Sequence, residues 1–160
     1  MADSGAMIGY HSRIEFETAA GTDAFVDLAE VTDITPPADS VDVVDVTHGA
    51  SPDSTREAIP GLTDPGEISL EMNFIPGANG DAYIRAWRAA RDRRKVRITF
   101  PNDIIWTFTA FVTGYTPATP NEDKLTATLT CKVSGSAITS NAGDGSLDFG
   151  INGNPLLTLI

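Results

Sequence analysis

The chain has 160 residues, with 11 basic against 22 acidic side chains and a formal net charge of −11. That length suits one well-packed domain, the acid excess argues against general affinity for nucleic acid, and no run approaches the ~20 apolar residues of a membrane helix. Cys131 is the only cysteine, which rules out an internal disulfide, and MADSGAMIGY lacks the regions of a secretion signal, so synthesis and use in a cytoplasm are expected.

Residues 8 to 18, IGYHSRIEFET, alternate Tyr10, Ser12, Ile14 and Phe16 against His11, Arg13, Glu15 and Glu17, the period of a half-buried strand. AFVDLAEVTDI (24 to 34) predicts a second strand. Between residues 33 and 66 the chain becomes rich in Pro, Asp, Ser, Thr and Gly, although VDVVDVTH (41 to 48) still alternates. This is a long loop containing at least one extended piece, and loops beyond ~12–15 residues are usually functional or disordered.

GEISLEMNFIP (66 to 76) alternates again and ends at Pro76, Gly77 and Gly80. One helix follows, over about 79–95, with Asn79 or Asp81 as cap and Tyr83, Ala86, Trp87 and Ala90 on one stripe. KVRITFP (95 to 101), IIWTFTAFVTGYTP (104 to 117) and KLTATLTCKVSG (124 to 135) predict a three-strand meander with turns at Pro101 to Asp103 and Pro120 to Asp123. Cys131 falls in the last of these as a buried, inert thiol. The expected fold is mainly β, a β-sandwich or partly open barrel with one flanking helix and a long loop (33–66). Residues 1–138 form the β domain, and 139–160 are a C-terminal extension.

Residues 81 to 97 hold seven of the eleven basic groups against Asp81 and Asp92, a local +5, leaving −16 elsewhere. Arg85, Arg88 and Arg91 lie off the helix's apolar stripe, Arg88 and Asp92 are spaced as an i,i+4 pair, and Arg93, Arg94 and Lys95 fall in its last turn, where cations complement the helix dipole. The surplus charge suits an acidic surface of another copy better than phosphate, given the acidic field around it.

Catalytic patterns are poor. His11 and His48 have no sequence-local partner of the HExxH or HxE type, and no GxSxG, GxxxxGK[ST] or GxGxxG occurs. One cysteine cannot build a thiolate zinc site. NAGDGSLDFGING (141 to 153) has the composition of a calcium loop but not its register or closing Glu, so ordinary turn chemistry is preferred. No catalytic residue, metal or cofactor is assigned.

The order DLAEVTDITPP (27 to 37), VDVTHGASPDSTREAIPGLTDPGE (44 to 67), a strand ending NFIPG, a helix, ITFPNDIIWTFTAFVTGYTP and LTATLTCKVSG resembles the tail tube, or major tail, proteins of long-tailed, non-contractile bacteriophages over about residues 7 to 138. The chain ends soon after the β domain, without the immunoglobulin-like domain some members carry. The resemblance implies rings of six subunits stacked into a hollow tube through which DNA passes without specific binding. It also implies a tape measure protein, tail terminator and distal tail proteins as partners, and a place in the virion tail after assembly in the host bacterial cytoplasm.

Physics makes such a tube intelligible: unpaired sheet edges can be joined around a ring, and a heterologous ring leaves two different faces free to stack. The 33–66 loop is expected to bridge stacked rings, with Asp39, Asp42, Asp45, Asp53, Arg56, Glu57 and Asp64 meeting the helix arginines Arg85, Arg88, Arg91 and Arg94 of a neighbour. Carboxylates facing the lumen would repel phosphate; Glu15, Glu17, Glu67 and Glu71 are the candidates. PLLTLI (155 to 160) packs on its own domain or reaches a neighbour as an added strand. The alternatives are another virion or secretion-type tube protein, or a monomeric β-sandwich whose Trp106, Phe108 and Tyr115 line a ligand groove.

Overall fold

The computed structural model describes residues 6–135 and, for the backbone, 139–142. Ten strands and one α-helix follow one another as β1 (Arg13–Glu17), β2 (Phe25–Asp27), β3 (Val31–Thr35), β4 (Ser40–Asp45), β5 (Ala58–Asp64), β6 (Glu67–Asn73), α1 (Asn79–Ala90), β7 (Arg94–Thr99), β8 (Ile104–Ala118), β9 (Thr126–Val133) and β10 (Thr139–Ala142). The architecture is mainly β and antiparallel, a sandwich-like sheet that does not close into a barrel.

The main sheet runs β2-β1-β7-β8-β9-β6-β3, with β10 also on β8. Strand β8 is its pivot. Its first half pairs with β7 (Val96 opposite Phe108) and its second half with β9 (Tyr115 opposite Leu129), and a register shift between Val112 and Gly114 lets the strand bend. Residues 139–142, assigned from sequence to the extension, pair with Ile104 to Thr107. The calcium-like loop beyond Ala142 and PLLTLI lie outside the described residues.

Period-2 alternation delivers one apolar face across the whole sheet. Ile14, Phe16, Ile68, Leu70, Val96, Ile98, Phe108, Ala110, Leu129, Cys131 and Val133 are all buried on it, and registered partners such as Ile14 with Ile98 and Leu70 with Leu129 keep that face continuous. Burial pushes the Cys131 thiol up to about 12, which leaves it a core side chain.

Helix α1 covers part of this face through Ile84 and Trp87, with the Trp87 ring packed on Phe16 at 5.2 Å between ring centres and tilted by 57°. The expected stripe therefore needs correction. Ile84, not Ala86 or Ala90, joins Tyr83 and Trp87, and both alanines are exposed. The helix also stops earlier than 95: Arg91 takes a left-handed φ of 54° and returns its N–H to Trp87 O, and Arg94 and Lys95 already belong to β7. Neither Asn79 nor Asp81 is the cap residue; Ala78 is, while Asp81 reaches back to the Gly77 N–H at 3.1 Å.

Two further strand expectations change. Residues 24 to 34 are not one strand, because Leu28 turns into the core and Glu30 adopts φ 66°, sending β2 to β1 and β3 to β6 at opposite ends of the sheet. Residues 8 to 12 precede β1 as a turn, in which Ser12 N–H bonds Gly9 O and His11 has φ 71°.

The long loop is a hairpin. β4 and β5 form their own two-stranded sheet, Val44 opposite Ile59, and contact little beyond each other. Asp64 pins its base by accepting the Gly66 N–H at 2.9 Å and the Lys132 ammonium at 2.7 Å. Gly66 is required there: at φ 82° a Cβ would stand 2.2 Å from Ala38 O.

Candidate assembly interface

Three surfaces carry what the fold itself leaves unsatisfied. The first is the β4-β5 hairpin, a tongue whose strands are exposed along nearly their whole length. Val43 is 76% and Leu62 83% exposed, and Val41, Val44, Val46 and Ile59 are exposed as well, so both faces of the hairpin carry apolar side chains that isolated proteins rarely show to water together. Its far end is nonetheless ordered: Ser51 Oγ donates to Glu57 Oε2 at 2.5 Å, His48 Nε2 stands 3.7 Å from the same oxygen, and Thr47 Oγ1 accepts the Glu57 N–H. Asp45 accepts the Thr47 N–H at 2.9 Å, and its hydrogen bonds with Thr47 hold the carboxyl below its usual range. Asp45, Glu57 and Asp64 are thus engaged within the tongue, while Asp39, Asp42, Asp53 and Arg56 are exposed with no partner among the described residues.

The second surface is an open cleft of about 590 Å³ between α1 and β8, lined by Arg85, Arg88, Ala89, Arg91, Tyr115 and Pro117. Arg85 Nε bonds Asp81 Oδ1 at 2.9 Å, and Tyr115 donates to the same oxygen at 3.0 Å. Burial raises the Asp81 carboxyl, but the Gly77 N–H, Tyr115 hydroxyl and Arg85 guanidinium outweigh it and leave the group below its ordinary value. The Tyr115 hydroxyl, buried beside that carboxylate, is pushed up to about 12. Arg88 and Arg91 have no partner among the described residues.

Arg94 leaves this group. Its side chain is buried, bonds Asp92 at 3.0 Å and Thr18 O at 3.1 Å, and lies over the Tyr83 and Trp87 rings. Asp92 therefore pairs with Arg94 and not with Arg88. The arginine belongs to a buried knot around Glu17, whose carboxylate accepts the Asp23 N–H at 2.9 Å and the Lys95 N–H at 3.1 Å. Burial pushes Glu17 up, the Asp23, Lys95 and Gly21 backbone N–H groups and the Lys95 charge overcome it, and the carboxyl ends below its ordinary value. Lys95 completes the knot through an ion pair to Asp23. Glu17 keeps the strand parity of Glu15, but the 18 to 24 turn covers it, so it faces no channel. Parity alone could not reveal that cover.

The third surface is the sheet face opposite the core. Its registered rows place Thr99, Thr107, Thr109, Thr126, Thr128 and Thr130 with Glu15, Glu67 and Glu71. Glu15 pairs with Arg97 at 3.7 Å and the exposed Glu67 lies directly opposite Lys132, whereas Glu71 is exposed opposite Thr128. Asp33, missed in sequence because β3 could not be paired, lies directly opposite Glu71. Like charges so placed cost stability. The rival aromatic groove is not built: Phe108 and Tyr115 are buried, and Trp106 is half-buried edge-on against Phe100. Among the described residues no cluster of His, Cys, Asp and Glu is arranged to hold a metal.

Residues 9–140 match the family model of the lambda phage tail tube protein. The chain belongs to that family. Solved structures share the tail tube fold at low identity. The tail of an empty gene transfer agent particle, computed with helical refinement and C6 symmetry, superposes with a TM-score of 0.71 at 20% identity over 86% of this chain and 100% of its own. The sheath/tube terminator of an extracellular contractile injection system gives 0.67 at 15% identity over 88% and 100%. The SPP1 tail tube gives 0.59 at 12% identity over 86% and 81%. Comparison with curated proteins by sequence returned no match.

Proposed function

We propose that this tail tube protein closes into rings of six, stacks them into a hollow virion tail and leaves an acidic, threonine-rich wall toward passing DNA. The carrying observation is the tongue: six large apolar side chains on β4, β5 and Val46 are exposed in a segment held at a rigid base. Exposed apolar surface of this extent marks a site that another surface covers. A ring neighbour or the adjacent ring supplies that surface, and the C6 symmetry of the gene transfer agent tail supports six as the ring number.

The sheet supports the same reading. Its two ends, β2 and β3, each have a free edge among the described residues, and joining β3 of one copy to β2 of the next removes both edges around a closed ring. The core and α1 occupy the opposite face, so the Thr-rich face with Asp33, Glu67 and Glu71 is the one available to line a lumen. Asp33 and Glu71, registered on each other with no cation between them, would repel phosphate and keep DNA moving. A tape measure protein, terminator and distal tail proteins complete the tail in this scheme, with assembly in the host cytoplasm.

The test is a tongue variant. Leu62→Asp with Val43→Asp should leave the subunit's melting temperature unchanged and abolish rings and tubes in electron micrographs. Tubes of normal yield from the double variant would refute the assignment.

A further inference from the structure

We infer that the arginine cleft of α1 and β8 is the seat of the tongue of a second copy, with Asp42 of the tongue paired to Arg88 and Arg91. The inference rests on the tube reading above and names the partner of its main contact.

Pairing within the subunit consumes most of the basic cluster. Of the seven basic groups in residues 81 to 97, Arg85, Arg94, Lys95 and Arg97 each meet a carboxylate of their own subunit. Arg88, Arg91 and Arg93 are exposed without one. Three cations in a chain of net charge −11 make a poor polyanion site, because counterion release grows with the number of phosphates neutralised. They make a good site for one or two carboxylates.

Shape points the same way. The cleft places Arg88 and Arg91 around a floor of Ala89, the Tyr115 ring and Pro117, so it suits an occupant with an anionic head beside apolar side chains. The tongue has that combination at one place. Asp42 lies at the β4 irregularity between Val41 and Val43, and Gly61 crosses close by, with its Cβ position 3.2 Å from both Asp42 Cβ and Val44 Cγ2, so that Asp42 and the exposed Val44 share one face of the tongue. Glycine at the crossing thins the tongue where it must enter a cleft. The other tongue acids fit less well: Asp45, Glu57 and Asp64 are already bonded, Asp53 sits apart at the tip, and Asp39 precedes β4 at the base, next to the Ala38 contact with Gly66.

Arg91 adds a separate sign. It occupies the left-handed C-cap position that favours glycine, at φ 54°, so the backbone carries a cost that the side chain's own subunit contacts do not repay.

The test compares the critical concentration for assembly, read by sedimentation and negative-stain microscopy, in wild type, Arg88→Glu/Arg91→Glu, Asp42→Arg and the three changes combined. Circular dichroism verifies that each exposed-site variant is folded. Either half alone should raise the critical concentration by about tenfold or more, as loss of a charge pair followed by repulsion predicts, and the combination should recover most of the loss. Arginine reversal that leaves assembly unchanged, or combined changes that give no recovery while wild type forms tubes, overturns the pairing and leaves the tube reading intact. A wild-type chain that forms neither rings nor tubes overturns both.

Discussion

Glu17 and Arg91 show how much a single position depends on what surrounds it. Glu17 reads in sequence as the outer member of an alternating strand, yet the 18 to 24 turn folds over it and its oxygens bind two backbone N–H groups. Because its folded pKa lies below the ordinary value of 4.5, the carboxylate's contribution is present above the unfolded pKa and is lost as pH falls through the lower folded one. Subunit stability should therefore decline on acidification below about 4.5, and Glu17→Gln should remove about 1–3 kcal/mol at neutral pH while flattening that acid limb in urea titrations followed against pH. An unchanged limb would mean the knot is unimportant. At Arg91, glycine relieves the left-handed strain, so Arg91→Gly should stabilise the isolated subunit by about 1 kcal/mol while weakening assembly. Loss of stability in thermal melts would show that the arginine serves its own fold.

Among the elements, strands with a clean period of two were legible from sequence, because burial on one face leaves its mark every second residue: β7, β8 and β9 lie within two residues of the spans expected, and β6 within three. The helix was legible in kind but not in face. Alanine at 86 and 90 mimics a buried stripe, and only the docking of Ile84 and Trp87 onto Phe16 decides which side goes in. Trp87→Ala should cost about 3–5 kcal/mol in denaturant unfolding and free the helix; a loss below 1 kcal/mol would contradict that docking. The tongue was only half legible, since β5 carries Pro60 and Gly61 and its burial pattern is nearly uniform exposure. Its sequence answers to a surface outside the subunit. Its apolar side chains should accordingly tolerate polar replacement with no measurable change in subunit stability, in contrast to Ile68 or Leu129 in the sheet.

The whole molecule joins these parts: a sheet with two free edges among the described residues, an apolar tongue, a cationic cleft and a threonine-rich wall on which Asp33 meets Glu71. The wall could not be assembled from sequence, because Asp33 and Glu71 are 38 positions apart and become neighbours only when β3 registers on β6. Replacing Glu71→Lys turns that repulsion into attraction. The subunit should melt at a higher temperature, and assembled tubes should begin to retain double-stranded DNA in a salt-dependent way; tubes that retain none would argue that this face lies away from the lumen. The central claim is self-assembly through surfaces the subunit cannot satisfy alone. Negative-stain microscopy of the concentrated, purified chain, with sedimentation alongside, tests it most directly. The account predicts hollow tubes or stacked rings of six copies, and a species that remains monomeric at every concentration would contradict it.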